Sequence, residues 1–355
     1  MNRFECECNS TVYFESRVCL SCNVKIAFDP ETLSFRKLNQ ALETTVSCSD
    51  TQAETQQKVL CSNGKHYDVC NWLAAPDAVQ GLCPGCQFNR YIPNLDSPKN
   101  VRRWGVLETA KKRLLLTLTQ MGLPCATGWQ APEQGFLFDF LEDQRDNPDV
   151  STPMVYTGYA DGIITINLLE ASTTSRIAQQ KAAKESYRTV LGHMRHESGH
   201  HFWTFVKKDS GLLEEFKQRF GLENEDYAIA LKQFYECGPC DAWSERFISP
   251  YASAHPLEDW AECWAHYLHI YDGLETAAAL GMAPINPAEL CFQEKITLWR
   301  SVSAGLNEMN RSLGLQDAYP FVINTTVAEK LGFVDRVVTH LQTLDLGSAI
   351  GQTPF

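Results

Sequence analysis

The sequence is short of several things, and each shortage closes off a class of protein. It has no surplus of basic residues: 31 Lys and Arg stand against 43 Asp and Glu, for a formal charge of −12. The first hundred residues carry nine basic against eleven acidic side chains, and the remainder holds the rest of the negative excess. Neither part offers the positive field on which binding to a nucleic-acid backbone depends, so no nucleic-acid partner is expected. No apolar run reaches membrane-spanning length, and the opening MNRFECECNS has no apolar core of a secretory leader. The expectation is therefore a chain with no membrane partner and a cytoplasmic location. No internal repeat is visible beyond the cysteine pairs. An apolar content of 44% and a charged content of 21% are ordinary for a globular chain, and 355 residues can bury a core spread over one larger and one smaller domain.

Cysteine, by contrast, is plentiful, with fourteen residues. Eight of them fall in four pairs between residues 6 and 86, all short-spaced but Cys61 and Cys70, a pattern that favours metal over disulfides in a reducing compartment. Cys6-x-Cys8 and Cys19-x-x-Cys22 form one set of four thiolates, with a small hairpin expected around TVYFES between them. A segment of about thirty residues buries too little apolar area to fold alone, so metal binding would supply the folding energy. Cys61, Cys70, Cys83 and Cys86 form a second set, in which Pro84 and Gly85 of LCPGC shape a ligand knuckle. Zinc is the default ion for both sets, although iron also accepts four sulfurs. Cys48 is an alternative ligand in a polar stretch, residues 43 to 59, that reads as a connection.

The boundary between modules is expected at YIPNLDSPKN, residues 91 to 100. After it, VRRWGVLETAKKRLLLTLTQMG has helical periodicity and stops at Gly122. GFLFDFL reads as a strand, and MVYTGYADGIITINLLEA reads as a hairpin about Asp161-Gly162. Residues 163 to 168 are a candidate strand for pairing with an extended peptide, by the physics of strand addition. From residue 173 onward the chain reads as mainly helical.

Four of only nine histidines crowd into LGHMRHESGHHFW, residues 191 to 203. A helix is expected from Glu185 to Lys208, with Val190, Leu191, Met194, Phe202 and Phe205 as its apolar stripe. His196 and His200 lie one turn apart on one face, so their ring nitrogens can converge on one ion. Glu197, between them, can reach a water bound to that ion. This is the H-E-x-x-H arrangement of two zinc ligands and a general base. His193 is expected to pack or to contact a ligand, and His201 points away.

A catalytic zinc wants a third protein ligand and an open position. Trp203 and Val206 stand where a Gly and a third His would be needed, which excludes that class of site. SPYASAHPLEDWAECWAHYLHI supplies the alternative, a second helix opened by Pro256 on which Glu258, Glu262 and His266 share a face. Glu258 is the expected ligand, with Glu262 the substitute ligand or, one turn on, the acceptor that orients a ligand histidine. Tyr251 and His266 are both candidates for the donor that stabilises a developing oxyanion. Tyr251 lies seven residues before Glu258, where some peptidases with an E-x-x-A-E helix carry such a tyrosine.

Several long stretches resemble a bacterial family of zinc-binding metallopeptidases with an N-terminal zinc-ribbon region. They are FECECNSTVYFESRVCLSC, LCPGCQFNRYIPNL, GYADGIITINLLEA, YRTVLGHMRHESGHHFW, HPLEDWAECWAHYLHI and RSLGLQDAYPFVI. The resemblance covers nearly the whole chain. It implies a gluzincin-type peptidase with zinc on His196, His200 and Glu258 and with Glu197 catalytic. The fold class it implies is α+β: a mainly helical zincin-like domain with a small sheet over residues 100–345, preceded by small β zinc-ribbon modules over residues 1–95. Those modules would carry one four-cysteine site within residues 6–22 and another within residues 61–86. One departure from the family pattern is CGPC, Cys237 to Cys240, where related sequences have Gly-Pro-Pro. A thioredoxin-like dithiol needs a strand before that motif, and IALKQFYE reads as a helix, so a third thiolate site or plain thiols are favoured.

The function expected is hydrolysis of peptide bonds by zinc-activated water, with one catalytic and two structural zinc ions and a peptide or protein substrate. The competing reading is a zinc-ribbon protein-binding adaptor whose H-E-x-x-H site is structural or vestigial. The sequence does not specify an oligomeric state.

Overall fold

A computed structural model describes residues 3–38, 57–183 and 188–344. The chain divides into two compact units, with the break between Ser172 and Thr173.

The first unit opens with short strands: β1 (Phe4–Glu5) pairs with β2 (Thr11–Val12), and β3 (Ile26–Asp29) pairs with β4 (Ser34–Lys37), both antiparallel. TVYFES therefore supplies one strand of a hairpin that closes back on Phe4, rather than a hairpin of its own. Next come β5 (Val59–Leu60), the short helix α1 (Ser62–Tyr67) and β6 (Leu73–Ala74), which pairs with β5. The segments before and after the undescribed residues 39–56 share one core. The rings of Phe4, Phe14, Phe28, Phe35 and Trp72 touch at centroid distances between 5.2 and 6.1 Å. Phe28 N donates to Asn71 O at 2.8 Å, and Asn71 Nδ2 donates to Phe14 O at 2.7 Å. A cluster of buried rings in so small a body supplies the apolar area that either half alone lacks.

The unit continues with β7 (Asn89–Tyr91), the long helix α2 (Pro98–Gln120), β8 (Leu137–Leu141), β9 (Gly158–Ala160) and β10 (Ile163–Asn167). Pro98 stands at the start of α2, where a missing N–H costs nothing, and Gly122 follows its end with φ +67°. The sheet order is β7-β8-β10-β9, with β10 parallel to β8 and antiparallel to β9. Asp161 and Gly162 both have positive φ, as a two-residue hairpin turn requires. β10 is thus an inner strand: Ile163, Ile164 and Thr165 are paired on both sides. The expectation that residues 163 to 168 offer a free edge to a peptide is corrected here. The hairpin itself was legible, but its parallel partner β8 lies too far away in sequence to leave a local signal.

The second unit is helical throughout its described residues. Its helices are α3 (Thr173–Ala183), α4 (Val190–Val206), α5 (Ser210–Phe220), α6 (Tyr227–Cys237), α7 (Pro256–Ala279), α8 (Phe292–Ser312) and α9 (Thr325–Gln342). The long helix expected from Glu185 begins at Val190, capped by the Thr189 hydroxyl, which accepts from Gly192 N at 2.9 Å. Residues 185 to 187 lie outside the described residues. α7 is the hub and packs on α4, α8 and α9. Trp260 of α7 is fully buried among Trp203, Phe220, Trp264 and Phe333. The fold is α+β. No described helix is long and apolar enough to cross a membrane.

Candidate metal centres

The closeness of α4 to α7 sets up the first centre. A Cβ on Gly199 would stand 3.0 Å from Ala261 Cα and 3.2 Å from Trp264 Cβ, so only glycine lets the two backbones approach this far. Two indole donors stitch the contact: Trp260 Nε1 to Gly199 O at 2.8 Å, and Trp264 Nε1 to Ser198 Oγ at 3.0 Å. α7 starts as its sequence dictates. His255 caps it by accepting from Leu257 N, Pro256 takes the first turn, and Glu258 follows at once.

Across this contact His196, His200 and Glu258 bring three ligand atoms within 4.8 Å of one another. His196 Nε2 lies 3.0 Å from Glu258 Oε2, and His200 Nε2 lies 3.5 Å from Glu258 Oε1. The two imidazole planes are 75° apart. Glu262 Oε1 sits 2.8 Å from the other ring nitrogen of His196, Nδ1. Sequence periodicity leaves Glu262 two roles; the geometry brings Glu258 to both histidines and leaves Glu262 behind one of them. Glu197 is buried on the same turn of α4, and its charge reaches both Tyr227 and Tyr251.

The electrostatics suit a cation. Burial holds His200 neutral, with its pKa pulled down to about 4. Burial works against ionising Glu258 and Glu262, yet the hydrogen bond each makes with His196, together with the neighbouring histidine charges and hydroxyl donors, brings both down to about 2. His196 is desolvated too, but its two carboxylate partners raise its pKa well above the usual histidine range. As an imidazolium, His196 donates Nε2–H to Glu258 and Nδ1–H to Glu262. Two imidazoles and one carboxylate on converging faces, with an outer carboxylate fixing one ring, fit a zinc ion.

Two aromatic hydroxyls flank the three. Tyr251 places its ring 5.9 Å from the His196 ring, and its hydroxyl is held protonated by burial and by the Glu258 charge. Tyr227 of α6 donates to Glu258 Oε1 at 2.5 Å. Tyr227 has no signal in the sequence, because it belongs to another helix and shares no spacing with the motif. His266 is enclosed elsewhere: its Nδ1 meets Tyr319 OH at 2.9 Å, its ring packs 4.2 Å from Phe321, and burial lowers its pKa to about 4. His201 is buried against Phe202 and Phe205.

The first unit holds two cysteine clusters. The Sγ atoms of Cys6, Cys8, Cys19 and Cys22 lie within 4.8 Å of one another, as do those of Cys61, Cys70, Cys83 and Cys86. All eight are free thiols: Cys8 Sγ stands 3.7 Å from Cys19 Sγ, and Cys70 Sγ stands 3.6 Å from Cys83 Sγ. The wide spacing from Cys61 to Cys70 is taken up by α1, whose Gly64 lies against the Cys70 carbonyl; a Cβ there would stand 2.1 Å from that oxygen. Trp72 N and Cys83 N point at Cys70 Sγ and Cys61 Sγ, each at 3.4 Å, as thiolate ligands require. The second cluster is fully buried, whereas Cys8 of the first is exposed. Cys48 lies outside the described residues. Cys237 and Cys240 are exposed, the first as the last residue of α6 and the second just beyond it, and belong to no ligand group among the described residues.

Comparison with known proteins places the chain by family. A family model described as "Putative zinc-binding metallo-peptidase" matches residues 100–337. The chain belongs to this metallopeptidase family. A zinc-ribbon domain model matches residues 3–97. Relatives of the chain include an uncharacterized protein of Mycobacterium tuberculosis and another of Mycobacterium bovis. Each is 36% identical over 350 residues, which is 96% of this chain and 96% of the relative. No solved structure matches it.

Proposed function

We propose that the chain is a zinc-dependent peptidase of the gluzincin type, with His196, His200 and Glu258 as ligands of one catalytic zinc and with structural zinc in each cysteine cluster. The observation that carries this reading is the convergence of those three ligand atoms within 4.8 Å, with Glu197 on the same helical turn. When bound, the ion supplies Lewis acidity toward a peptide carbonyl and makes water a nucleophile at neutral pH.

The remaining work belongs to side chains of this protein. Glu197 accepts the proton of the attacking water and passes it to the leaving amine. Glu262 holds His196 in one orientation through Nδ1. Tyr251, protonated and beside His196, is the donor for the oxyanion; the Nδ1 of His266, the other candidate, is engaged with Tyr319. The free thiols of both clusters fit a reducing, cytoplasmic setting.

A peptide-library digest tests the reading. Parent protein should cleave, chelation should stop it, and Glu197→Gln should keep fold and zinc while losing about 10²- to 10⁴-fold in turnover. Equal turnover by the variant removes Glu197 as the base. A zinc-loaded parent that cleaves no peptide leaves the adaptor reading in possession.

A further inference from the structure

Two adjacent lysines of α2, Lys111 and Lys112, are buried at 0% and 2% exposure. Neighbours on a helix point about 100° apart, so one of them should reach solvent; long cations go fully inside only when an anion waits there. Lys111 has its anion: Nζ lies 2.9 Å from Glu108 Oε1 and also meets Asn89. Lys112 does not have one of its own. Its Nζ is 3.5 Å from Glu108 Oε2, the carboxylate already shared with Lys111, and makes no hydrogen bond.

The second cysteine cluster lies beside Lys112. Its stem lies under the knuckle, where a Cβ on Gly85 would stand 3.6 Å from Lys112 Cγ. Cys86 Sγ is 3.7 Å from the same Glu108 Oε2 that Lys112 faces. Four neutral thiols would leave two buried ammonium groups facing one carboxylate. A divalent ion held by four thiolates carries two negative charges and provides the missing anion.

We propose that Lys112 is the counter-cation of a divalent metal tetrathiolate at Cys61, Cys70, Cys83 and Cys86, and that this pairing anchors α2 to the zinc ribbon. The proposal rests on metal in that cluster, not on the peptidase reading. It ties two stretches matched by separate family models, since the cysteines lie within residues 3–97 and α2 within or beside residues 100–337.

The test uses the full chain with Cys19→Ser, which removes the first cluster, loaded with cobalt. Metal loss to a chelator is followed through the thiolate-to-cobalt charge-transfer band, which the histidine and glutamate site lacks. Lys112→Met should speed the loss about 10- to 100-fold, Lys112→Arg should restore most of the retention, and Lys111→Met should do less. Loss at the parent rate from Lys112→Met, or an equal effect from Lys111→Met, overturns the proposal. Should Lys112→Met not fold, the unsubstituted chain decides. Lys112 should resist amine acylation when zinc is bound and react once zinc is stripped; protection that persists in the metal-free chain overturns it.

Discussion

At the scale of single residues, the candidate metal site is legible where its logic is local. His196, Glu197 and His200 sit on one helix with fixed offsets, and Glu258 opens another with Glu262 one turn on. Tyr227 was illegible because its contact with Glu258 is made across tertiary structure. Its hydroxyl occupies one oxygen of that carboxylate, so Tyr227→Phe should lower zinc affinity at this site by about 10- to 100-fold, measured by competition with a chromogenic chelator. Unchanged affinity would reduce Tyr227 to packing. In the first unit, Asp143 is fully buried and accepts from Arg145, Val155 N and Asn167. Burial works to raise its pKa, but those donors bring it down to about 2. A carboxylate depressed in this way contributes stability above its unfolded value near 3.8 and loses it as pH falls through about 2. Asp143→Asn should therefore unfold more easily than parent at neutral pH, by roughly 1 to 3 kcal/mol, and the gap in denaturant midpoints should close toward pH 2. A gap independent of pH would remove the charge from the explanation.

At the scale of elements, a glycine decides how closely two backbones approach. In the middle of α4, Gly199 costs about 1 kcal/mol of helix propensity relative to alanine. The 3.0 Å approach to Ala261 Cα outweighs that, since overpacking costs about 1 to 3 kcal/mol. Gly199→Ala should lower the melting temperature and reduce retention of the ion between α4 and α7, read by metal analysis after gel filtration; a stabilised variant with full zinc would contradict the close approach. Periodicity disclosed these helices because their apolar stripes are local. In α2 it gave the helix and its end at Gly122 but no sign that Lys111 and Lys112 are both buried, because Glu108 is the one local acid for two lysines and the cysteines beside Lys112 come from a distant stretch of chain.

At the scale of the whole molecule, the α+β class and the clustering of helices after residue 173 were legible, while the union of the ribbon's halves was not. The sequence presents two separate sets of four cysteines, yet Trp72 from the second packs on Phe14 and Phe28 from the first. Metal analysis of the full chain should find about three zinc ions. Removing one cluster by Cys86→Ser should weaken retention at the other as well, because both stand on one floor of rings. Independent loss from the two would contradict that shared floor. The same floor imposes an order on synthesis. Cys6 to Cys22 leave the ribosome well before the indole of Trp72, so the nascent N-terminal loops emerge with their sulfurs ready and one ring of their apolar support still to come. An ion captured at that stage sits in an unfinished cradle, and the ribbon matures only when the later strand arrives to close beneath it.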